Sequence, residues 1–168
     1  FARGCANDYR ALERFHYLKK SPATWAGVWT VRYDEDRTGA IAALEQNIND
    51  APAPLASSRI VASAVLSYPT VNSAERDRAL NLHKWEKSKR LRFVNANVRA
   101  ISRVVVHPQF RSLGPAAGLV RRICDDCTVR YTEAFAIMGR VHPFFEKGGM
   151  KRMSEREDGP VYYLHDRI

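Results

Sequence analysis

The stretch Ile101 to Val120, ISRVVVHPQFRSLGPAAGLV, constrains the fold more than any other part of the chain. Ile101 and the β-branched run Val104, Val105 and Val106 have the continuous apolar character of a central strand covered on both faces. His107-Pro108 ends that strand. Arg111-Ser112-Leu113-Gly114-Pro115-Ala116 then supplies a cation, a glycine free to turn at positive φ, and a proline suited to a first helical turn. Ala116, Leu119, Val120, Ile123, Cys124 and Cys127 recur at three- and four-residue intervals, whereas Arg121, Arg122, Asp125 and Asp126 fall outside that stripe. The pattern is a buried strand, a turn and a half-buried helix. Free amides at such a helix N-terminus form an anion site. The plain alternative is an ordinary connection with a capping glycine. There is no GxGxxG and no Lys-Ser/Thr after the turn, so neither a dinucleotide fingerprint nor a P-loop is present.

With 168 residues, 45% hydrophobic against 27% charged, the chain has enough apolar material for one α/β domain. No apolar run approaches the roughly 18 residues of a membrane span, and no signal-peptide pattern is present. The expectation is a soluble, cytoplasmic protein without a membrane partner. The chain begins at Phe1, which is expected to mark a boundary excised from a longer polypeptide. Three cysteines, an odd number, argue against a disulfide framework. Cys124 and Cys127 already belong to the helical stripe and Cys5 is remote, so no metal site is expected.

Asn7-Asp8 suits the cap of a first helix carrying Leu12 and Phe15. Trp25 to Tyr33 alternates as a strand. An insertion is expected at about residues 34–58, with a short helix near Ile41 to Ile48 and a stiff Ala-Pro-Ala-Pro loop. Arg59 to Ser67 is a second strand, Ser73 to Arg90 is polar and helix-prone, and Val94 to Arg99 leads into the strand at Ile101. Tyr131 to Met138 and Val161 to His165 are further strands.

The chain carries 27 basic and 18 acidic residues, and the excess concentrates between Glu75 and Arg103. Lys84, Lys87, Lys89, Arg90 and Arg92 lie there, with Trp85 and Phe93 interleaved. This composition suits a nucleic-acid backbone with an aromatic ring available for stacking. It equally suits a solvated helix.

At Arg111, Gly114 and Ala116 the chain resembles the Gcn5-related N-acetyltransferases, whose pyrophosphate loop reads Gln/Arg-x-x-Gly-x-Gly/Ala. PFFEKGGM, Pro143 to Met150, is similar to a later helix segment of that family. The resemblance implies a mixed α/β (α+β) fold with a mostly antiparallel central sheet, splayed strands and flanking helices. It implies acyl-CoA as cofactor, acetyl-CoA above all. Val104 and Val106 would bind its pantetheine arm through main chain. Arg111, Ser112, Leu113, Gly114, Pro115 and Ala116 would cradle its pyrophosphate, with Phe144 and Phe145 beside it. ISRVVVHPQFRSLG, EAFAIMGRVHPFFEKGGM and FHYL together resemble acetyltransferase-type domains attached to ABC-type ATPases, implying a fused or associated ATPase. A looser resemblance is to the phage Mom proteins, which modify DNA.

Acyl transfer to an amine needs a neutral amine, a proton acceptor and an acid for the leaving thiolate. Where relatives carry a tyrosine as that acid, this chain has Phe145, which cannot donate a proton. Glu133 is the first candidate base, on a strand that borders the acceptor side in the family fold; the other reading turns it to solvent. Ser102 and Arg103, on the other bordering strand, are further candidate catalytic residues; Arg103 either holds an anionic substrate group or pairs with Glu133. His16 and Tyr17 supply a second candidate base and acid, or an ordinary capping or core-edge pair. Three functions follow: an N-acyltransferase, acting on a nucleic acid or an associated amine; a nucleic-acid-binding or DNA-modifying domain; and a non-catalytic acyl-CoA sensor or scaffold.

Overall fold

The Val-rich run lies where its composition demands, in the middle of a sheet. A computed structural model of the protein describes residues 1–17, 20–33, 59–154 and 159–167. The expected helix at Ile41 to Ile48 and the Ala-Pro-Ala-Pro loop lie outside the described residues. The strands are β1 (Ala2–Gly4), β2 (Gly27–Tyr33), β3 (Arg59–Ser67), β4 (Val98–Val106), β5 (Tyr131–Ala136), β6 (Lys151–Arg152) and β7 (Val161–Asp166). Among the described residues they form one seven-stranded sheet in the order β1-β2-β3-β4-β5-β7-β6. Every neighbouring pair is antiparallel except β4 and β5, which are parallel. This is the mixed, mostly antiparallel sheet that the acetyltransferase resemblance implies.

The helices are α1 (Ala6–Glu13), α2 (Ala74–Ala79), α3 (Lys87–Asn97), α4 (Pro115–Asp126) and the single turn α5 (Phe144–Lys147). The stripe Leu119, Val120, Ile123 and Cys124 of α4 is buried against Trp29, Ala62, Ala64, Ile101 and Ala134 on one face of the sheet. On the other face α1 packs Tyr9 and Leu12 on Val28, Val65 and Val105, while Leu82 and Val94 pack with Val98, Tyr162 and Leu164. The central strands are therefore covered on both sides, which accounts for their unbroken apolar sequence. No helix among the described residues is long and apolar enough to cross a membrane.

Several boundaries differ from the sequence reading. The first helix starts after Cys5, and Asp8 is its third residue, with a carboxylate reaching back to the Cys5 amide at 2.8 Å. Ser73 to Arg90 is two helices, not one: the Ser73 hydroxyl caps α2, the Glu86 carboxylate caps α3, and Asn81 between them adopts φ 55°. The left-handed turn at Asn81 breaks the helix, and the Ser73 and Glu86 caps start the two pieces separately. Residues 94–97 complete α3 before β4 begins, and β5 ends at Ala136, where a turn takes over.

Candidate functional site

β4 and β5 stay together for four residue pairs, Val98 with Tyr131 through Ile101 with Ala134, and then part. On its other side β4 stays paired with β3 as far as Val106. The divergence coincides with a β-bulge: Arg103 pairs with Val65 and Ile101 with Leu66, leaving Ser102 as the extra residue. A bulge bends its strand and raises its twist, turning β4 away from β5. The Ser102 hydroxyl lies 2.7 Å from that of Ser67 and 3.3 Å from the Val65 carbonyl, so it holds the bulge in place. Ser102, expected among the catalytic residues, lines the cleft, with its hydroxyl engaged in bracing the bulge.

The His107 amide bonds to the Val61 carbonyl of β3 at 2.8 Å. Antiparallel alternation then directs the N–H and C=O of Val105 and Arg103 to β3, and those of Val104 and Val106 into the gap. Both valines line a cleft of about 750 Å3. Its walls also include Phe15, His16, Tyr17, Arg103, Arg111, Ser112, Gly114 and Ala116.

Between β4 and α4 the chain makes a 3-10 turn, Pro108–Leu113, then passes through Gly114 at φ 73°, a left-handed conformation that glycine adopts without a Cβ clash. Pro115 opens α4, where its missing N–H costs nothing. Ala116 and Ala117, in the first turn of α4, face the cleft. Leu113 is exposed and Pro115 is buried; neither lines the cleft, so the cradle is narrower than the six residues expected. α5 closes the same end. Gly148, just after it, lies so near α4 that a Cβ would sit 2.5 Å from Val120 Cγ1. The Lys147 carbonyl accepts a 2.9 Å hydrogen bond from Arg121 of α4, and Lys147, like Arg111, lines the cleft.

Glu133 is not in the cleft. It is 1% exposed, on the face of β5 opposite α4, and its carboxylate accepts from Arg76 Nη1 at 3.0 Å and the Tyr162 hydroxyl at 3.1 Å. Burial pushes its carboxyl up from the usual range, while Arg76 and Tyr162 pull against that shift. A carboxylate so enclosed cannot reach an acceptor amine, and this corrects its expected role as base. The alternative of a solvent-facing Glu133 fails equally. Nor does Arg103 pair with it: Arg103 donates to the carbonyls of Ser102 at 2.7 Å and Lys20 at 2.9 Å.

His16 and Tyr17 do border the cleft, their rings stacked at 4.6 Å. Phe144 and Phe145 also border it, with Phe145 largely buried and stacked on Tyr163 at 5.1 Å. Among the cleft residues that escaped the sequence reading are Phe135, Ile137, Met138, His142 and Lys147. The last two adjoin or belong to the PFFEKGGM motif, which was the available signal; the others depend on where β5 stops.

In the basic segment, Arg76 is a core residue and Arg90 is held by Asp77 at 2.9 Å, so neither serves as a free surface cation. Lys84, Lys87, Lys89 and Arg92 are exposed. Trp85 is partly engaged, with Phe93 edge-on at 5.3 Å and the Lys89 ammonium 4.7 Å above its ring.

No protein-family profile and no curated protein matches the chain. Among solved structures, aminoglycoside acetyltransferase AAC(6')-Ib in complex with coenzyme A and kanamycin is similar at 18% identity and a TM-score of 0.42, over 67% of this chain and 63% of that one. A KacTA–DNA complex is similar at 9% identity and a TM-score of 0.34, over 86% and 89%. Such loose likenesses carry no weight for substrate or partner.

Proposed function

We propose that the protein is an acyl-CoA-dependent N-acyltransferase, with acetyl as the preferred acyl group. The observation that carries this reading is the opened β4–β5 seam, which presents the main chain of Val104 and Val106 along a cleft that runs to the N-terminus of α4. The residues present fit an extended, amide-bearing, phosphorylated molecule. Unpaired strand groups suit its amides, and the first-turn amides of α4, with Arg111 and Lys147, suit its phosphates.

Bound acyl-CoA supplies an activated thioester. The protein's part is to fix that thioester beside an acceptor and to shield the encounter from water. Phe145 supplies no proton, and a thiolate needs less help in leaving than an alkoxide does. His16 and His142 are the cleft imidazoles that can carry a proton away from the reacting amine.

A nucleic acid, or an amine associated with one, is the proposed acceptor context, supported by the exposed cations Lys84, Lys87, Lys89 and Arg92. The resemblances to ATPase-attached acetyltransferase domains and to DNA-modifying proteins accord with such a surface. Calorimetric titration with acetyl-CoA tests the main reading. Binding that weakens roughly tenfold in Arg111→Ala is the expected result; no binding by the native chain would overturn it.

A further inference from the structure

The cleft has two chemically different ends. Arg111 and Lys147 belong to the α4 end, which the proposed acyl-CoA phosphates would occupy. At the other end, on the face covered by α1, stand Arg103, the stacked His16 and Tyr17, and Phe135, whose ring packs 4.8 Å from Tyr162. Tyr17 is 59% exposed and Phe135 40%, with Ile137 at 57% and Met138 at 48% beside them, and all four line the cleft. Large apolar side chains left open inside a concavity mark a surface that a ligand covers. The ring walls suit a flat molecule. Arg103 adds a fixed charge: two carbonyls hold its terminal nitrogens, which leaves the guanidinium positioned with donors to spare.

The chemistry agrees with the shape. An alkylammonium, with a pKa of about 10.4, must lose a proton before it can attack, whereas Glu133, the carboxylate along β5, is locked in a buried ion pair and an imidazole is a much weaker base than an alkylamine. An amine conjugated to a ring is already neutral at neutral pH, because its lone pair is shared with the π system. Such an amine needs no deprotonation before attack.

We infer that the acceptor is a planar amine of low basicity carrying a negative charge, bound between His16–Tyr17 and Phe135 with its anion on Arg103. This rests on the acyltransferase reading. In the transfer, the amine nitrogen forms a bond to the thioester carbonyl carbon, the carbon–sulfur bond breaks, and one N–H proton passes from nitrogen, by way of a cleft imidazole or water, to the departing sulfur. The products are an amide and a free thiol, with no other reactant consumed. The same chemistry has two sources, a free nucleotide-like molecule and a base within a single strand.

The test separates this inference from the reading beneath it. Acetyl-CoA is titrated first; if it does not bind, the acyltransferase reading falls, and this inference with it. The CoA-loaded protein is then titrated with 4-aminobenzoate, cytidine monophosphate, a cytosine-rich single-stranded oligonucleotide and spermine, and thiol release from acetyl-CoA is followed with each. Expected is binding of the anionic ring amines, weakened roughly tenfold or more by Arg103→Met and by Tyr17→Ala, with thiol released and spermine inert. Tyr17 is exposed, so its variant guards against misfolding at Arg103. A mononucleotide bound as tightly as the oligonucleotide identifies a free small molecule as the source; much tighter oligonucleotide binding identifies a strand. Preference for spermine, or ring-amine binding indifferent to both substitutions in a protein that binds acetyl-CoA, would overturn the inference and leave the reading standing.

Discussion

Arg76 and Glu133 meet at 3.0 Å with side chains 0% and 1% exposed, joining the start of α2 to the middle of β5. Arg76 also donates to the carbonyls of Thr70 at 2.7 Å and Val71 at 3.2 Å, so one guanidinium fixes both the loop after β3 and the strand at the vertex of the cleft. Breaking a buried pair by removing one partner leaves an uncompensated charge and costs about 3–5 kcal/mol. Arg76→Met is expected to destabilise by that order in urea titration. Glu133→Gln keeps an acceptor for Arg76 and is expected to cost less. Because Glu133 lies outside the cleft, Glu133→Gln is also expected to leave the rate of thiol release from acetyl-CoA within about twofold of native, since substitutions that spare the reacting groups spare the transition state.

Gly148 sits against α4 with no room for a side chain: a Cβ would meet Val120 Cγ1 at 2.5 Å and the Ala117 carbonyl at 3.0 Å. Gly148→Val is expected to destabilise by about 1–3 kcal/mol, as overpacking does. Because Lys147 adjoins Gly148 and lines the cleft, acetyl-CoA affinity is also expected to fall further than stability alone accounts for. Denaturation and calorimetry on the same variant check both.

The Glu86 carboxylate accepts from Ser88 Oγ and from the amides of Ser88 and Lys89 at the start of α3, and the Ser88 contacts lead in holding its pKa down at about 2, below the ordinary 4.5. A depressed folded pKa stabilises above the unfolded value and ceases to do so as pH falls through the folded one. The contribution is therefore expected in full above about pH 4.5 and lost towards about pH 2. A carboxyl NMR titration reads the pKa directly. The stability difference between native and Glu86→Gln is expected to shrink across that window.

Burial pushes the Cys124 thiol up to about 12, with Cys127 and Asp125 adding to the effect, whereas Cys5 is exposed. The thiolate is the reactive form. One rapid thiol is expected in a dithionitrobenzoate assay of the native protein, abolished by Cys5→Ser, with Cys124 and Cys127 reacting only after denaturation.

If the exposed face of α3 meets phosphates, Lys87→Ala is expected to lower the salt slope of oligonucleotide binding by about 1. Arg90→Ala is expected to act on stability instead, because its guanidinium is committed to Asp77 at 2.9 Å. Binding isotherms at several salt concentrations separate the two.

The central strand, the turn and the α4 stripe were legible from Ile101 to Cys127 because each is a local pattern, periodic or set by glycine and proline. Main-chain exposure at Val104 and Val106 was legible only through family resemblance, since it depends on where a neighbouring strand stops pairing. Glu133 misled for a physical reason. A lone charge in a strand reads as a cleft or solvent residue unless its partner is known, and Arg76 lies 57 positions away in sequence. Ser102 does line the cleft, but the bulge its hydroxyl braces was not legible, because the partner Ser67 lies 35 positions away. Phe135 and Met138 became cleft residues only because β5 ends at Ala136 and parts from β4.

The gap at Val104 and Val106 offers amides that every residue except proline carries. Alanine at these positions costs packing and keeps the amide, whereas proline removes the amide itself. Descendants of this chain can therefore exchange Val104 and Val106 for other apolar residues that still pack on the core and keep the grip, provided the kink at Ser102 survives.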